Sequence, residues 1–175
     1  NKIILINIKD GKLIDEFYTQ PSKTVSKFKS NIAIDNNNNL LFLSTNGSLY
    51  SLNLINQKTI NWIQNFKTES EIIFEGNPVT IFDDKIMIST KKNISLLNVN
   101  GIRLWDLNIE SNIQPIISGN IIFTVSKDNY LIFINKDTGK VIYSKNINSL
   151  IQKEYKKNFF RKLKKITHIY LADNK

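Results

Sequence analysis

The residues able to do chemistry are few and scattered. His168 is the single histidine, and an imidazole serves as base or ligand only when a second group orients it. Its setting, Ile166-Thr167-His168-Ile169-Tyr170-Leu171, reads as an apolar strand holding it at a packed or edge position. Asp15-Glu16 and Asp83-Asp84 are adjacent acidic pairs, the first on an outer strand and the second at a turn. Neighbours on a strand point to opposite faces, so they are not placed to share a proton as acid and base. The oxygen-rich run Asp35 to Asn39 has ligand types that suit calcium, but too few carboxylates for a strong site. There is no cysteine, which rules out disulfides and thiol chemistry within this sequence. Nor is there a glycine-rich phosphate loop or a metal-ligand spacing. The reading is therefore no catalytic, cofactor-binding or metal site.

The elements that would position such residues form a repeat. Leu131-Ile132-Phe133-Ile134-Asn135 is a short apolar strand ending in Asn; a polar turn through Gly139 follows, then a strand carrying Tyr143. The phrase recurs as Ile3 to Asn7 before Asp10-Gly11, as Leu49 to Asn53 before Trp62, and as Ile94 to Asn98 before Asn100-Gly101 and Trp105. The strand-ending Asn falls at positions 7, 53, 98 and 135, in steps of 46, 45 and 37 residues. Strand repeats of this period are the mark of propeller blades.

Turn residues such as Asn46-Gly47, Asp83-Asp84 and Gly119-Asn120 divide the chain into short strands. The expected organisation is all-β: a half blade at 1–20, four-stranded blades at about 30–66, 76–109 and 113–147, and the start of another at 166–175. That makes about four blades, a fragment of a larger ring of seven or eight, with the protein expected to continue at both ends. Leu40 to Leu43 and Ile121 to Val125 are continuous apolar runs, which need burial on both sheet faces. The fourth strands alternate instead, with Ile60, Trp62 and Phe66 expected on one face, as are Val141, Tyr143 and Ile147.

Residues 149–165 interrupt the repeat. Ser149 and Gln152 have capping-box spacing, and Ile151, Tyr155, Phe159 and Leu163 recur as a helical apolar stripe. Around it lie Lys153, Lys156, Lys157, Arg161, Lys162, Lys164 and Lys165 against Glu154 alone, so this insertion carries +6 of the chain's +9. A basic amphipathic helix fits an anionic membrane surface or an acidic partner. The plainer reading packs the stripe on the propeller and leaves the lysines in solvent. Lys153, Lys156, Lys157, Arg161 and Lys162 are the candidate contacts. Nucleic acid is not indicated, since its bases would stack on aromatics within a basic platform, whereas the aromatics here sit on strands away from this charge.

The phrase Asn135 to Tyr143 resembles the repeat of PQQ-like (quinoprotein-like) β-propellers, whose blades carry a D-x-x-T-G-K-x-x-W type motif. Asp137, Thr138, Gly139 and Lys140 match, with Tyr143 in place of Trp. Asn100, Gly101 and Trp105 match in another unit, Trp62 matches with Gln57 in place of Gly, and Asp10, Gly11 and Lys12 match with the aromatic shifted to Phe17. In that family the aromatic docks on the glycine turn of the adjacent blade. The resemblance thus implies structural docking roles for Gly11, Trp62, Gly101, Trp105, Gly139 and Tyr143. It implies one of two functions. One is a non-enzymatic scaffold of the BamB type, bound to protein partners of the β-barrel assembly machinery at the periplasmic face of a bacterial outer membrane. The other is a quinoprotein dehydrogenase holding PQQ and calcium. Compact units without cysteine favour the scaffold.

Overall fold

Each copy of the phrase folds as an antiparallel hairpin, and three of the four are completed to four strands. The structure, a computed structural model, describes residues 2–18, 32–55, 59–68, 74–111, 113–149 and 166–172. A two-stranded hairpin, β1 (Lys2–Ile6) and β2 (Leu13–Tyr18), comes first. Three four-stranded sheets follow. The first contains β3 (Ile32–Ile34), β4 (Asn39–Leu43), β5 (Ser48–Asn53) and β6 (Ile60–Asn65). The second contains β7 (Thr80–Phe82), β8 (Lys85–Ser89), β9 (Ile94–Asn98) and β10 (Arg103–Leu107). The third contains β11 (Ile116–Ser118), β12 (Ile121–Val125), β13 (Tyr130–Asn135) and β14 (Val141–Asn146). Within each sheet the strands pair in sequence order, the meander of a propeller blade.

The continuous apolar runs are explained by what lies on either side of each sheet. Leu41, Leu43 and Leu49 of the first sheet and Ile86, Ile88 and Leu97 of the second share one core. Met87, Ile94 and Leu96 turn the other way, onto Ile122, Ile132 and Ile134 of the third. The hairpin closes over the remaining face of the first sheet through Ile3 and Phe17, which meet Leu40, Tyr50 and Leu52. Each Leu or Ile so buried is worth about 1.5–3 kcal/mol against solvent, so face-to-face stacking is the main cohesive term. Phe74, in the connection leading to β7, is also fully buried in the first of these cores.

A bulge recurs at one register in every outer strand. Ser51 pairs with Trp62 while Leu52 pairs with Ile60. Leu96 pairs with Trp105 and Leu97 with Arg103; Phe133 pairs with Tyr143 and Ile134 with Val141. The extra residue reverses the alternation. Ile60 and Trp62 therefore lie on opposite faces, as do Val141 and Tyr143, correcting the expectation of one shared face. In the hairpin Leu5 pairs with Asp15 and Ile6 with Leu13, so Asp15, not Phe17, holds the register of the tryptophans.

One expectation near the C-terminal end also changes, and another falls outside the described residues. Ser149 lies inside a helical turn at 147–149, and its hydroxyl donates to the Asn146 carbonyl at 2.7 Å; Gln152, its capping-box partner, falls outside the described residues. Residues 166–172 form no strand, because no ladder partner lies beside them among the described residues. The amphipathic insertion itself, with Lys153, Lys156, Lys157, Arg161 and Lys162, falls outside the described residues.

Candidate functional site

The repeated residues build joints between sheets. Each strand-ending Asn turns its amide oxygen back on the following turn. Asn7 accepts from the Lys9 N–H at 2.9 Å, Asn53 from Ile55 at 2.9 Å, Asn98 from Asn100 at 3.0 Å, and Asn135 from Asp137 at 3.1 Å. These Asx turns shape the loops against which the aromatics rest. Trp62 donates its indole N–H to the Val99 carbonyl at 2.9 Å, and its ring lies so close to Gly101 that a Cβ there would meet it at 2.7 Å. Trp105 repeats the contact one sheet later. It donates to the Lys136 carbonyl at 2.9 Å, and its ring stands 2.8 Å from where a Gly139 Cβ would be. Gly101 and Gly139 have φ of +79° and +69°, a left-handed conformation that glycine adopts without steric cost.

Charged side chains tie the same turns together. Lys136 donates to Asp83 at 2.8 Å and Lys85 to Asp137 at 3.2 Å, bridging the second and third sheets. The hydrogen bond from Lys136 lowers the Asp83 carboxyl below its usual range, and Lys136 is raised in return by Asp83. At the opposite end, Lys91 pairs with Glu75 at 3.2 Å and Lys127 with Glu110 at 2.9 Å. In both cases the lysine N–H also reaches the backbone carbonyl of the same glutamate. Lys2 and Tyr18 converge on Glu16 at 2.7 and 2.8 Å, and the Lys2 bond lowers the Glu16 carboxyl.

Of the residues singled out for chemistry, Asp83 and His168 share one groove, while Asp15, Glu16, Asp84 and Asp35 do not line it. Asp15 faces the first sheet while Glu16 points away with Lys2 and Tyr18. Asp35 accepts from the N–H groups of Asn37 and Asn39 at 2.9 and 2.8 Å and from the Asn39 amide at 2.9 Å. Its carboxylate already holds the turn that a calcium ion would need. His168 is exposed and stacks on Tyr170, ring centroids 6.2 Å apart. Both line an open groove of about 740 Å³ with Thr80, Asp83, Gln114 and Ile117, where Gln114 donates to Thr80 at 3.0 Å. Among the described residues no group of three His, Cys, Asp or Glu side chains is placed to hold a metal.

The two ends of the stack are half-joints. Gly11 has the same left-handed turn, φ +69°, yet nothing lies within 4 Å of where its Cβ would be. Tyr143, at the tryptophan register of the last sheet, is 40% exposed and ends an aromatic stack with Phe133 and Phe123, each step 4.8 Å between centroids. The bulge and the Asx turns went unnoticed in the sequence, although the Asn ending every copy of the phrase was their signal.

No family model matches the chain, and no curated protein does. Solved structures match in fold. BamB from Moraxella catarrhalis superposes with a TM-score of 0.68 at 15% identity, over 83% of this chain and 46% of that one. The WD40 domain of Neurospora crassa Pan2 gives 0.53 at 15% identity over 67% and 37%. A europium-containing methanol dehydrogenase gives 0.50 at 14% identity over 61% and 22%. The chain thus spans less than half the length of the propellers it matches. Its stacked four-stranded sheets have the fold of part of a β-propeller, similar to that of BamB.

Proposed function

We propose that the chain is a non-enzymatic propeller scaffold that binds other proteins, acting in outer-membrane protein assembly in a bacterial envelope. The observation that carries the reading is the engagement of its polar residues. Asp83, Asp137, Glu75 and Glu110 are held by lysines of neighbouring turns and strands, and Asp35 by its own turn. Side chains that would supply an active site instead brace turns and sheet edges, and Asp83 and Asp137 tie the second sheet to the third. Their work is geometric: a stiff stack presents two rims of loops to a partner. The BamB resemblance supports both the partner class, the β-barrel assembly machinery, and a periplasmic location.

The second reading, a quinoprotein dehydrogenase holding PQQ and calcium, draws on the methanol dehydrogenase likeness. The test has two arms. A photo-crosslinker placed at Lys9 or Asn100 in cells is expected to capture a subunit of the assembly machinery, identified by mass. Spectral titration with PQQ and calcium is expected to give no saturable binding. Saturable binding with dye-linked alcohol oxidation would overturn the scaffold reading.

A further inference from the structure

The chain contains two Asn-Gly pairs, Asn46-Gly47 and Asn100-Gly101, and the fold treats them differently. Asparagine is a thermolabile residue, and a glycine after it, lacking a Cβ, leaves its own backbone nitrogen unhindered as a nucleophile. Both pairs sit in turns of the same form. The Gly47 N–H donates to the Ser44 carbonyl and the Gly101 N–H to the Asn98 carbonyl, each at 3.0 Å. Both glycines have positive φ and are buried. The asparagine side chains separate the two. The Asn46 amide oxygen accepts from the Ser44 hydroxyl and from the Ser48 N–H at 3.1 Å, on a half-buried residue. Asn100 is exposed, and its side chain makes no hydrogen bond among the described residues. Other groups hold its turn. The Asn98 amide oxygen accepts from the N–H groups of Asn100 and Ile102 at 3.0 and 2.9 Å. Trp62 covers Gly101 and donates to the Val99 carbonyl.

We propose that Asn100 is a self-modification site, deamidated when the Trp62 joint opens. The Gly101 nitrogen, released from Asn98, gives its proton to the solvent and attacks the side-chain carbonyl carbon of Asn100. The new C–N bond closes a succinimide ring, and the former amide nitrogen takes up a proton and leaves as ammonia. Water then opens the ring at one of its two carbonyls, yielding aspartate or isoaspartate. Nothing is oxidised or reduced. Isoaspartate adds a methylene to the backbone just before Gly101 and displaces the glycine from beneath the indole. The joint between the first and second sheets therefore weakens as the protein ages. This chemistry goes beyond the scaffold reading and needs no partner.

The protein is incubated at mildly alkaline pH and its peptides are mapped by mass spectrometry, with electron-transfer fragmentation to separate isoaspartate from aspartate. In urea both Asn-Gly pairs are expected to convert at similar rates, which sets the intrinsic chemistry. In native buffer Asn100 is expected to convert at least about tenfold faster than Asn46, because its turn opens without breaking side-chain hydrogen bonds. Trp62→Phe keeps a ring over Gly101 but releases the Val99 carbonyl. It should speed Asn100 about fivefold, the weight of one hydrogen bond, and leave Asn46 as it was. Aged protein should unfold at a lower urea midpoint than fresh protein, whereas Asn100→Gln aged alongside should keep its midpoint, since glutamine cyclises far more slowly. An Asn100 that stays an amide in native buffer overturns the proposal, as does a rate that Trp62→Phe leaves unchanged. Equal acceleration at both pairs would mean that global unfolding exposes them, and overturns it as well.

Discussion

Trp62 and Gly101 meet across two sheets, 39 positions apart in the chain, with the indole ring where a Cβ of residue 101 would have to go. The contact couples backbone conformation to packing, because the turn that brings Gly101 close also requires its positive φ. Gly101→Ala therefore carries two costs, a left-handed alanine of about 1–2 kcal/mol and displacement of the ring. Gly119, with φ +56° and nothing within 4 Å of its Cβ position, carries only the first. Urea unfolding should show Gly101→Ala as the more destabilising by about 1–3 kcal/mol. Equal losses would mean the ring does not press on the turn.

The indole N–H can be separated from the ring. Trp62→Phe keeps an aromatic over Gly101 but leaves the Val99 carbonyl without the donor it has at 2.9 Å. A loss of about 1 kcal/mol is expected from the hydrogen bond, and more from Trp62→Ala, which also empties the socket. Fluorescence can follow the change, because Trp105 is then the one remaining tryptophan. If Trp62→Phe is neutral, the ring alone makes the joint.

The fold was legible because its repeat is written in residues with a mechanical reason to recur. Asn7, Asn53, Asn98 and Asn135 each brace a turn with their own amide, and Trp62 and Trp105 each fill a socket in the next sheet. Asp15 shows where legibility ends. Phe17 looked like the displaced aromatic, but the bulge register that puts Asp15 opposite Leu5 is a property of pairing and leaves no mark in spacing. The ion pairs were hidden for a similar reason. Lys136 and Asp83 are 53 positions apart and meet only once two sheets have stacked. In the turn after Leu131 to Asn135, the motif residue Asp137 reaches across to Lys85, and Asn135 does the bracing.

The pH dependence follows from the same pairs. Asp83 and Glu16 are lowered in the folded chain from ordinary values of 3.8 and 4.5, each chiefly by a lysine hydrogen bond. Their contribution is fully present above those values and is lost as pH falls through the lowered folded ones. Lys136 and Lys2 are raised from 10.5, so their contribution holds below 10.5 and disappears as pH rises further. The groups are exposed, and salt should screen the effect. Asp83→Asn should lower the urea midpoint slightly at pH 7 and leave it unchanged well below pH 3. Adding Lys136→Gln should cost little more, and full additivity would show that the pair does not interact.

The last test concerns the turn that a calcium reading depends on. Asp35 is 5% exposed, and its two oxygens accept from two backbone N–H groups and the Asn39 side chain. Asp35→Ala leaves those donors unsatisfied, and a loss of about 1–3 kcal/mol is expected. Asp35→Asn can keep the bonds to Asn37 and Asn39 N–H, but sets an amide against the Asn39 amide, and should fall between alanine and wild type. Calcium would need the same oxygens and would have to break these bonds first. Millimolar calcium should therefore leave Tm where it was, in wild type and in both variants. A rise in Tm confined to the wild type would show that this carboxylate can leave its turn for a cation, and would move the balance towards the quinoprotein reading.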